Sequence, residues 1–241
     1  MRKSLVAVAF AVVVLLGASA FAGSISITNS NFSSVAIACT SGYSYQQSGL
    51  TVNTCDNSGG GFQQSLNGAS GIGWTFADGP GVGQPFFTNQ YGDGLTVANS
   101  PFNPPPFGTF TQAAFLQGAG SYVSQTLSGF TVGQAYDLSF LLGSRYNGGG
   151  YNGNQIVEVL LGGNVIKTYD LGSSTPFTLE NIGFTATSTT ETLEFEGTNS
   201  GDHTAFLTNV GITATPEPVT LMLFGTGLLG IGGMVRRRLN R

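Results

Sequence analysis

The segment GSRYNGGGYNGNQ, at residues 143–155, concentrates side chains that suit the binding of a sugar. Tyr146 and Tyr151 offer flat apolar faces on which a pyranose ring can stack, and Arg145 adds a positive charge. The segment's amides, which can pair with vicinal hydroxyl groups, belong to Asn147, Asn152 and Asn154. A flexible glycine-rich loop whose tyrosines cover a sheet edge has the same composition, so the pattern marks a candidate glycan site.

Three aspartates lie beside glycine turns: Asp78 in FADGPG, Asp93 in YGDG and Asp202 in SGDH. Carboxylates next to turn carbonyls are the oxygen ligands that Ca²⁺ prefers. None of the three has EF-hand spacing, and Asp-Gly is also an ordinary turn dipeptide. The sequence therefore requires no cofactor, and calcium is the candidate metal.

Catalytic patterns are sparse. His203 is the single histidine, and no GxSxG motif accompanies it, so a serine hydrolase is not predicted. Glu194 and Glu196 share one face of the segment ETLEFEG, and glycoside hydrolysis uses two facing carboxylates. A solvated outer sheet face gives the same pattern. We therefore expect a protein that is not an enzyme, with a hydrolase of matrix polysaccharide as the alternative.

The candidate site residues lie on or next to short segments in which apolar and polar residues alternate. In QAYDLSFLLG, the apolar residues from Tyr136 to Leu142 fall on one face, and in ETLEFEG Leu193 and Phe195 face inward. Gly162-Gly163 joins two such segments as a hairpin turn. The segment PFNPPPFGTF cannot form a central strand, because proline lacks the ladder donor. The sequence predicts an all-β sandwich in one domain.

The N-terminus has the pattern of a signal peptide. Arg2 and Lys3 precede an apolar run from Leu5 to Leu16, and the small-x-small cleavage pattern follows at Ala20-Phe21-Ala22. We expect signal peptidase to cut after Ala22, so that the mature chain begins at Gly23.

The C-terminus has a different pattern. Pro216-Glu217-Pro218 precedes an apolar run from Val219 to Val235. Seventeen helical residues span about 26 Å, close to the thickness of a bilayer core. The basic cluster that follows, Arg236, Arg237 and Arg238, favours the cytoplasmic side.

This order of tripeptide, glycine-rich apolar helix and arginine cluster resembles the PEP-CTERM sorting signal of Gram-negative bacteria. The resemblance covers residues 215–241 and implies processing by exosortase, a membrane-embedded cysteine protease. It also implies a transient stay in the inner membrane before release to the envelope, the outer surface or the medium.

Charge excludes several partners. Outside the two ends only Arg145 and Lys167 are basic, against eleven acidic residues, a formal net charge of −9. Nucleic-acid binding needs a basic face, so it is not expected, and the same charge argues against docking on anionic lipid headgroups. In an oxidising compartment Cys39 and Cys55, the only cysteines, are predicted to form a disulfide.

The latter half of the chain resembles a known fold. The segments SYVSQTLSGFTVGQAYDLSFLLGSR, VEVLLGGNVI, FTATSTTETLEFEGTN and TAFLTNVGIT, over residues 113–214, follow the order found in galactose-binding-like jelly-roll sandwiches. Asn209 stands where those proteins frequently carry Asp. The resemblance implies the fold, whereas fold alone assigns no ligand.

These observations predict three segments: a signal peptide at 1–22, a jelly-roll sandwich at 23–214 and a sorting and anchor segment with a single hydrophobic helix at 215–241. The expected role is structural or adhesive in the cell envelope or the extracellular matrix of a biofilm. The candidate ligand is exopolysaccharide, bound through residues 145–154.

Overall fold

The computed structural model of the chain describes residues 23–34, 53–55, 61–64, 71–77, 93–97, 104–145, 154–200 and 203–216. These ranges contain thirteen β-strands and no helix. The strands are β1 Ser24–Ile25, β2 Asn53–Cys55, β3 Gly61–Gln64, β4 Thr75–Ala77, β5 Asp93–Val97, β6 Gln112–Gln117, β7 Ser121–Ser128, β8 Ala135–Ser144, β9 Gln155–Leu161, β10 Asn164–Leu171, β11 Thr178–Thr185, β12 Thr190–Gly197 and β13 Thr204–Ala214. Within the described ranges, no helix is long and apolar enough to cross a membrane.

The strands form two antiparallel sheets. The larger has the order β11-β8-β13-β6-β5-β3-β2, with β1 beside β13, and the smaller has the order β10-β9-β12-β7-β4. Between β6 and β13 the chain passes repeatedly from one sheet to the other, as the chain of a jelly roll does. The predicted all-β sandwich is confirmed.

The core lies between the inner faces of the two sheets. On β8, Tyr136, Leu138, Phe140 and Leu142 are all buried, as their alternation predicts. Across the core, Phe195 of β12 meets Phe140 edge to face, with ring centroids 5.0 Å apart. The Gly162-Gly163 turn joins β9 to β10, as predicted, and both glycines have positive φ.

The proline-rich segment covers the outer face of the larger sheet. As predicted, residues 104–110 form no strand. Phe107 and Phe110 pack with Phe177, at centroid distances of 4.6 to 5.6 Å, over the fully buried Phe115 and Phe206. These residues make a second, smaller apolar cluster on the side of the sheet that faces away from the main core.

The long strands run between two ends of the sandwich. We call the end that holds Gly23, Ala135 and Ala214 the termini end, because the described chain begins and ends there. The opposite end, with Ser144 of β8, Gln155 of β9 and Thr204 of β13, is the loop end. The eleven residues of β13, which include a bulge between Thr208 and Gly211, separate the two ends by about 30 Å.

Candidate functional site

The connection from β8 to β9 crosses the loop end from the larger sheet to the smaller one. Its two ends, Arg145 and Asn154, belong to the described residues. The other members of the predicted glycan site, Tyr146, Tyr151 and Asn152, lie outside them. The structure therefore shows where this segment leaves the sandwich and where it returns.

Both ends of the connection are tied to the sandwich by main-chain hydrogen bonds. The Arg145 amide donates to the Thr204 carbonyl (3.0 Å), and the Arg145 carbonyl accepts from the Ser174 amide (2.8 Å). On the other side, the Asn199 side-chain amide donates to the Asn154 carbonyl. The segment that carries the tyrosines is thus held at fixed points on both sheets.

A buried amide closes the core beneath this connection. Gln155 occupies an inward position of β9, in line with Val157 and Val159, and is fully buried. Its Nε2 donates to the His203 carbonyl (2.8 Å), and its Oε1 accepts from the Asn199 amide (3.3 Å). Gln155 therefore links the start of β9 to the chain around Asn199 and His203, which the sequence did not reveal.

Polar groups next to this amide have unused hydrogen-bonding capacity. His203 lies just before β13, as predicted, and its Nδ1 is buried without a hydrogen-bond partner in the described part of the chain. The same is true of the hydroxyl of Thr204, a residue that is 2% exposed. Buried polar atoms normally have partners, so this end is chemically unlike the rest of the core.

The predicted calcium ligands are only partly visible. Asp93 begins β5, and its backbone lies opposite Leu116, near the loop end. Asp78 and Asp202 lie outside the described residues. Among the residues that are described, no three His, Cys, Asp or Glu side chains form a group that could hold a metal ion.

Most residues of the other predicted sites also lie outside the described ranges. Gly23 and Pro216 are both exposed at the termini end, whereas Cys55 is seen only as the last residue of β2. The positions not described are Ala20, Ala22, Cys39, Glu217, Pro218, Arg236, Arg237 and Arg238. The predicted disulfide and signal cleavage remain predictions.

Three carboxylates cluster on the outer face of the smaller sheet. Glu194 and Glu196 alternate with the fully buried Leu193 and Phe195 on β12, as predicted, and Glu158 of β9 lies directly opposite Glu196. Partial burial raises the pKa of Glu194, and Glu196 adds to the shift. Burial likewise raises the pKa of Glu196, with a further contribution from Glu158.

A cavity of about 480 Å³ adjoins this acidic cluster, near the termini end. Its lining residues come from the ends of β9 and β12 and the turn between β9 and β10: Leu160, Gly162, Gly163, Thr190, Glu191, Thr192 and Glu194. Glu191 is buried and accepts hydrogen bonds from the Thr187 and Ser188 amides (3.2 and 2.9 Å). The Glu191 carboxylate is therefore engaged in hydrogen bonds to the neighbouring loop. The second carboxylate that lines the cavity belongs to Glu194.

Glu196→Gln is expected to stabilise the protein at neutral pH by about 0.5 kcal/mol, because like charges directly opposite each other destabilise a sheet. The raised pKa means that folded Glu196 binds its proton more tightly than the unfolded chain does. The stabilisation that comes from this tighter proton binding is fully present below the pKa that Glu196 has in the unfolded chain. It is lost as the pH rises through the pKa that Glu196 has in the folded protein. Urea unfolding at neutral pH and at about pH 4 measures how the free energy of unfolding changes with pH. This change should be smaller in Glu196→Gln than in the wild type.

The double variant Glu158→Gln/Glu196→Gln provides the control for this pair. Once Glu158 is neutral, Glu196→Gln should still relieve its repulsion with Glu194 but no longer that with Glu158, so its effect should be smaller than in the wild type and the two effects should not be additive. Additive effects would contradict a direct repulsion between Glu158 and Glu196.

Comparison with known proteins identifies the C-terminal segment and the fold. Residues 214–238 match the PEP-CTERM protein-sorting motif, which confirms the resemblance seen in the tail. No curated protein matches the chain. The sorting motif implies export to the cell envelope or outer surface through membrane anchoring, and exosortase as the kind of processing partner.

Solved structures with a similar fold include two cyclases. A Stig cyclase from Fischerella sp. TAU is 18% identical, with a TM-score of 0.51 over 81% of this chain and 99% of that one. The apo form of a cyclase from Fischerella sp. is 21% identical, with a TM-score of 0.50 over 82% and 98%. At these identities the likeness concerns the fold alone.

A xylan-binding domain from Paenibacillus barcinonensis is more distant. It is 9% identical, with a TM-score of 0.41 over 61% of this chain and 88% of that domain. This score is too low to support a conclusion about ligand or fold.

Proposed function

We propose that this exported sandwich is a non-catalytic structural or adhesive protein of the cell envelope or extracellular matrix, which binds exopolysaccharide through residues 145–154. The observation that carries the proposal is the position of this segment. It leaves and re-enters the fold at the loop end, about 30 Å along β13 from the residue where the sorting motif begins. A chain anchored through its tail therefore presents this segment away from the membrane.

The chemistry of the segment supports a glycan ligand. Arg145 is one of two basic residues in the domain, and its backbone is fixed by hydrogen bonds on both sides. A backbone that is already fixed at Arg145 loses less entropy when this residue binds a ligand. The domain's net charge of −9 favours a neutral polymer over an acidic one, which the domain as a whole would repel.

Arg145→Ala and Tyr151→Ala are each expected to weaken retention of the protein on exopolysaccharide from the producing cells by roughly tenfold, the loss of about 1.4 kcal/mol of binding free energy. The reason is the loss of a charged donor in one variant and of a stacking face in the other. Retention on immobilised polysaccharide, measured against salt and free polymer, provides the test.

Lys167→Ala is the matched control, because it removes the domain's other basic residue from exposed β10. Equal losses for Lys167→Ala and Arg145→Ala would point to general electrostatics. A wild-type protein that retains no polysaccharide at all would leave a purely structural role. Unfolding curves of each variant separate lost binding from lost stability.

A hydrolase of matrix polysaccharide is the second candidate, favoured by the acidic cluster. Glu194 and Glu196 are two residues apart on one strand face, about 7 Å along the sheet, and both have raised pKa values. A carboxyl with a raised pKa is suited to act as a general acid. Release of reducing sugar that disappears in Glu194→Gln or Glu196→Gln would support the hydrolase and contradict the non-catalytic role.

A further inference from the structure

We propose that the termini end of the sandwich is a membrane-apposed face, which rests on the lipid headgroups for as long as the sorting segment is intact. This inference depends on the export and anchoring part of the proposed function. The face consists of Gly23, the turn 129–134, the loop 186–190 and Thr215–Pro216. Its exposed apolar contact with the lipid is Val132.

The structure leaves no linker between the fold and the sorting tripeptide. The Ala214 amide donates to the Gly23 carbonyl (2.8 Å), and the Thr215 amide donates to the Ala135 carbonyl (2.9 Å). The Gln134 side chain donates to the Thr215 carbonyl (2.7 Å), so both main-chain groups of Thr215 are held. The chain is part of the sandwich up to the residue before Pro216.

The length of the remaining chain limits how far this end can lie from the bilayer. From Pro216 to Val219, where the apolar run begins, there are three residue steps, which reach at most about 10 Å. A headgroup layer is about 5 to 7 Å thick on each side of the hydrocarbon core. The termini end therefore lies inside the headgroup layer or within about 5 Å of it when Val219 lies at the hydrocarbon boundary.

The N-terminus leaves from the same end. Ser24 and Ile25 of β1 pair with Thr213 and Ile212 of β13, so Gly23 lies beside Ala214. Six residues separate Gly23 from Leu16, the last residue of the predicted signal-peptide core. The sorting segment and, until it is cleaved, the predicted signal peptide are therefore joined to the sandwich at the same end.

The chemistry of this face fits a lipid surface. The exposed side chains of the turn 129–134 and the loop 186–190 are hydroxyl-bearing or apolar, and Glu191, the carboxylate next to them among the described residues, is 6% exposed and hydrogen-bonded to Thr187 and Ser188. Glu217, which follows Pro216 in the sequence, lies outside the described residues. Along β8 the first exposed carboxylate is Asp137, two residues from Ala135. A domain of charge −9 can approach anionic headgroups only through an end with few exposed acids.

Val132 is presented on a fixed turn. It is 58% exposed, while Phe130 beside it is buried against Tyr136, with ring centroids 5.2 Å apart. The Thr131 amide donates to the Tyr136 hydroxyl (2.9 Å), and the Gly133 amide donates to the Ala186 carbonyl (2.9 Å). An apolar side chain held outward in this way adds favourable contact with a membrane interface.

Tryptophan fluorescence in the full-length chain tests the proposal. Val132→Trp and Leu179→Trp are reconstituted into phosphatidylcholine/phosphatidylglycerol vesicles whose acyl chains are brominated near the headgroup. Leu179 is the matched control, since it is 63% exposed but lies on β11 about 20 Å from the termini end. The native Trp74 is 3% exposed and gives the same background in both variants.

We expect the added emission of Val132→Trp to shift to shorter wavelength and to be quenched by at least about half, while that of Leu179→Trp keeps its value in solution. Equal quenching of the two variants, no quenching of Val132→Trp, or failure of the chain to float with the vesicles would each overturn the proposal. Glycan retention is measured without vesicles. A chain that retains glycan but shows no quenching therefore contradicts only the membrane-apposed face, and the reverse result contradicts only glycan binding.

Discussion

Phe140→Ala is expected to lower the free energy of unfolding by about 3–5 kcal/mol, the largest effect of any single change considered for this protein. Phe140 is fully buried in the centre of β8, which lies between β11 and β13 in the larger sheet. Its ring contacts Phe195 and Tyr169 edge to face, at centroid distances of 5.0 and 5.9 Å. Alanine would leave a cavity between the two sheets and remove both aromatic contacts.

Thermal and urea unfolding measure this effect, which corresponds to a melting temperature lower by roughly 10 °C in a domain of this size. Leu179→Ala, on the neighbouring strand but 63% exposed, is the control and should change stability by no more than about 0.5 kcal/mol. A small loss for Phe140→Ala would mean that the two sheets do not pack as a common core at this position.

Gln155→Leu is expected to cost about 1–3 kcal/mol and to reduce glycan retention as well. Leucine matches the buried position but removes the hydrogen bonds that Gln155 makes to the Asn199 amide and the His203 carbonyl, of which the carbonyl keeps the bond from the Gly118 amide (3.2 Å). Loss of the partner of the Asn199 amide, together with the second bond at His203, accounts for a cost of about 1–3 kcal/mol. Since these groups border the connection that carries the proposed glycan site, its attachment to the sandwich should loosen.

Gln125→Leu is the control that separates a loss of stability from a loss of glycan retention. Gln125 of β7 is 8% exposed, and its side chain bonds the Thr28 amide and carbonyl and the Gly73 carbonyl. This variant should lose a similar amount of stability while retaining glycan as the wild type does. If both glutamine variants lose retention equally, the buried amide at the loop end has only a structural role.

The strands could be predicted because their signal is local. The alternation from Tyr136 to Leu142 and the Gly162-Gly163 turn depend on neighbouring residues, and the structure confirms both. The proline-rich segment was predicted as a loop for the same reason. That Phe107 and Phe110 pack on the outer face of the larger sheet depends on Phe177, about seventy residues later, and no local pattern contains that contact.

The candidate sites were harder to predict because they depend on strand register. Glu194 and Glu196 visibly share a face, but Glu158 joins them only because β9 and β12 pair in a particular register. The alternation of inward and outward residues in β9 places Gln155 inward, and a buried side-chain amide needs hydrogen-bond partners. Its partners Asn199 and His203 lie more than forty residues away, so their identity could not be read from the sequence.

The position of β13 in the larger sheet has a consequence for biosynthesis. This last strand lies between β8 and β6 and also pairs with β1, so three strands from different parts of the chain meet through it. During export from the N-terminus to the C-terminus, β6 and β8 emerge well before the strand that must separate them. The larger sheet therefore cannot be completed until β13 has emerged, and the sorting motif begins at the last residue of that strand. Completion of the larger sheet and arrival of the sorting motif are thus adjacent steps, whereas the smaller sheet contains no strand after β12 and does not depend on β13.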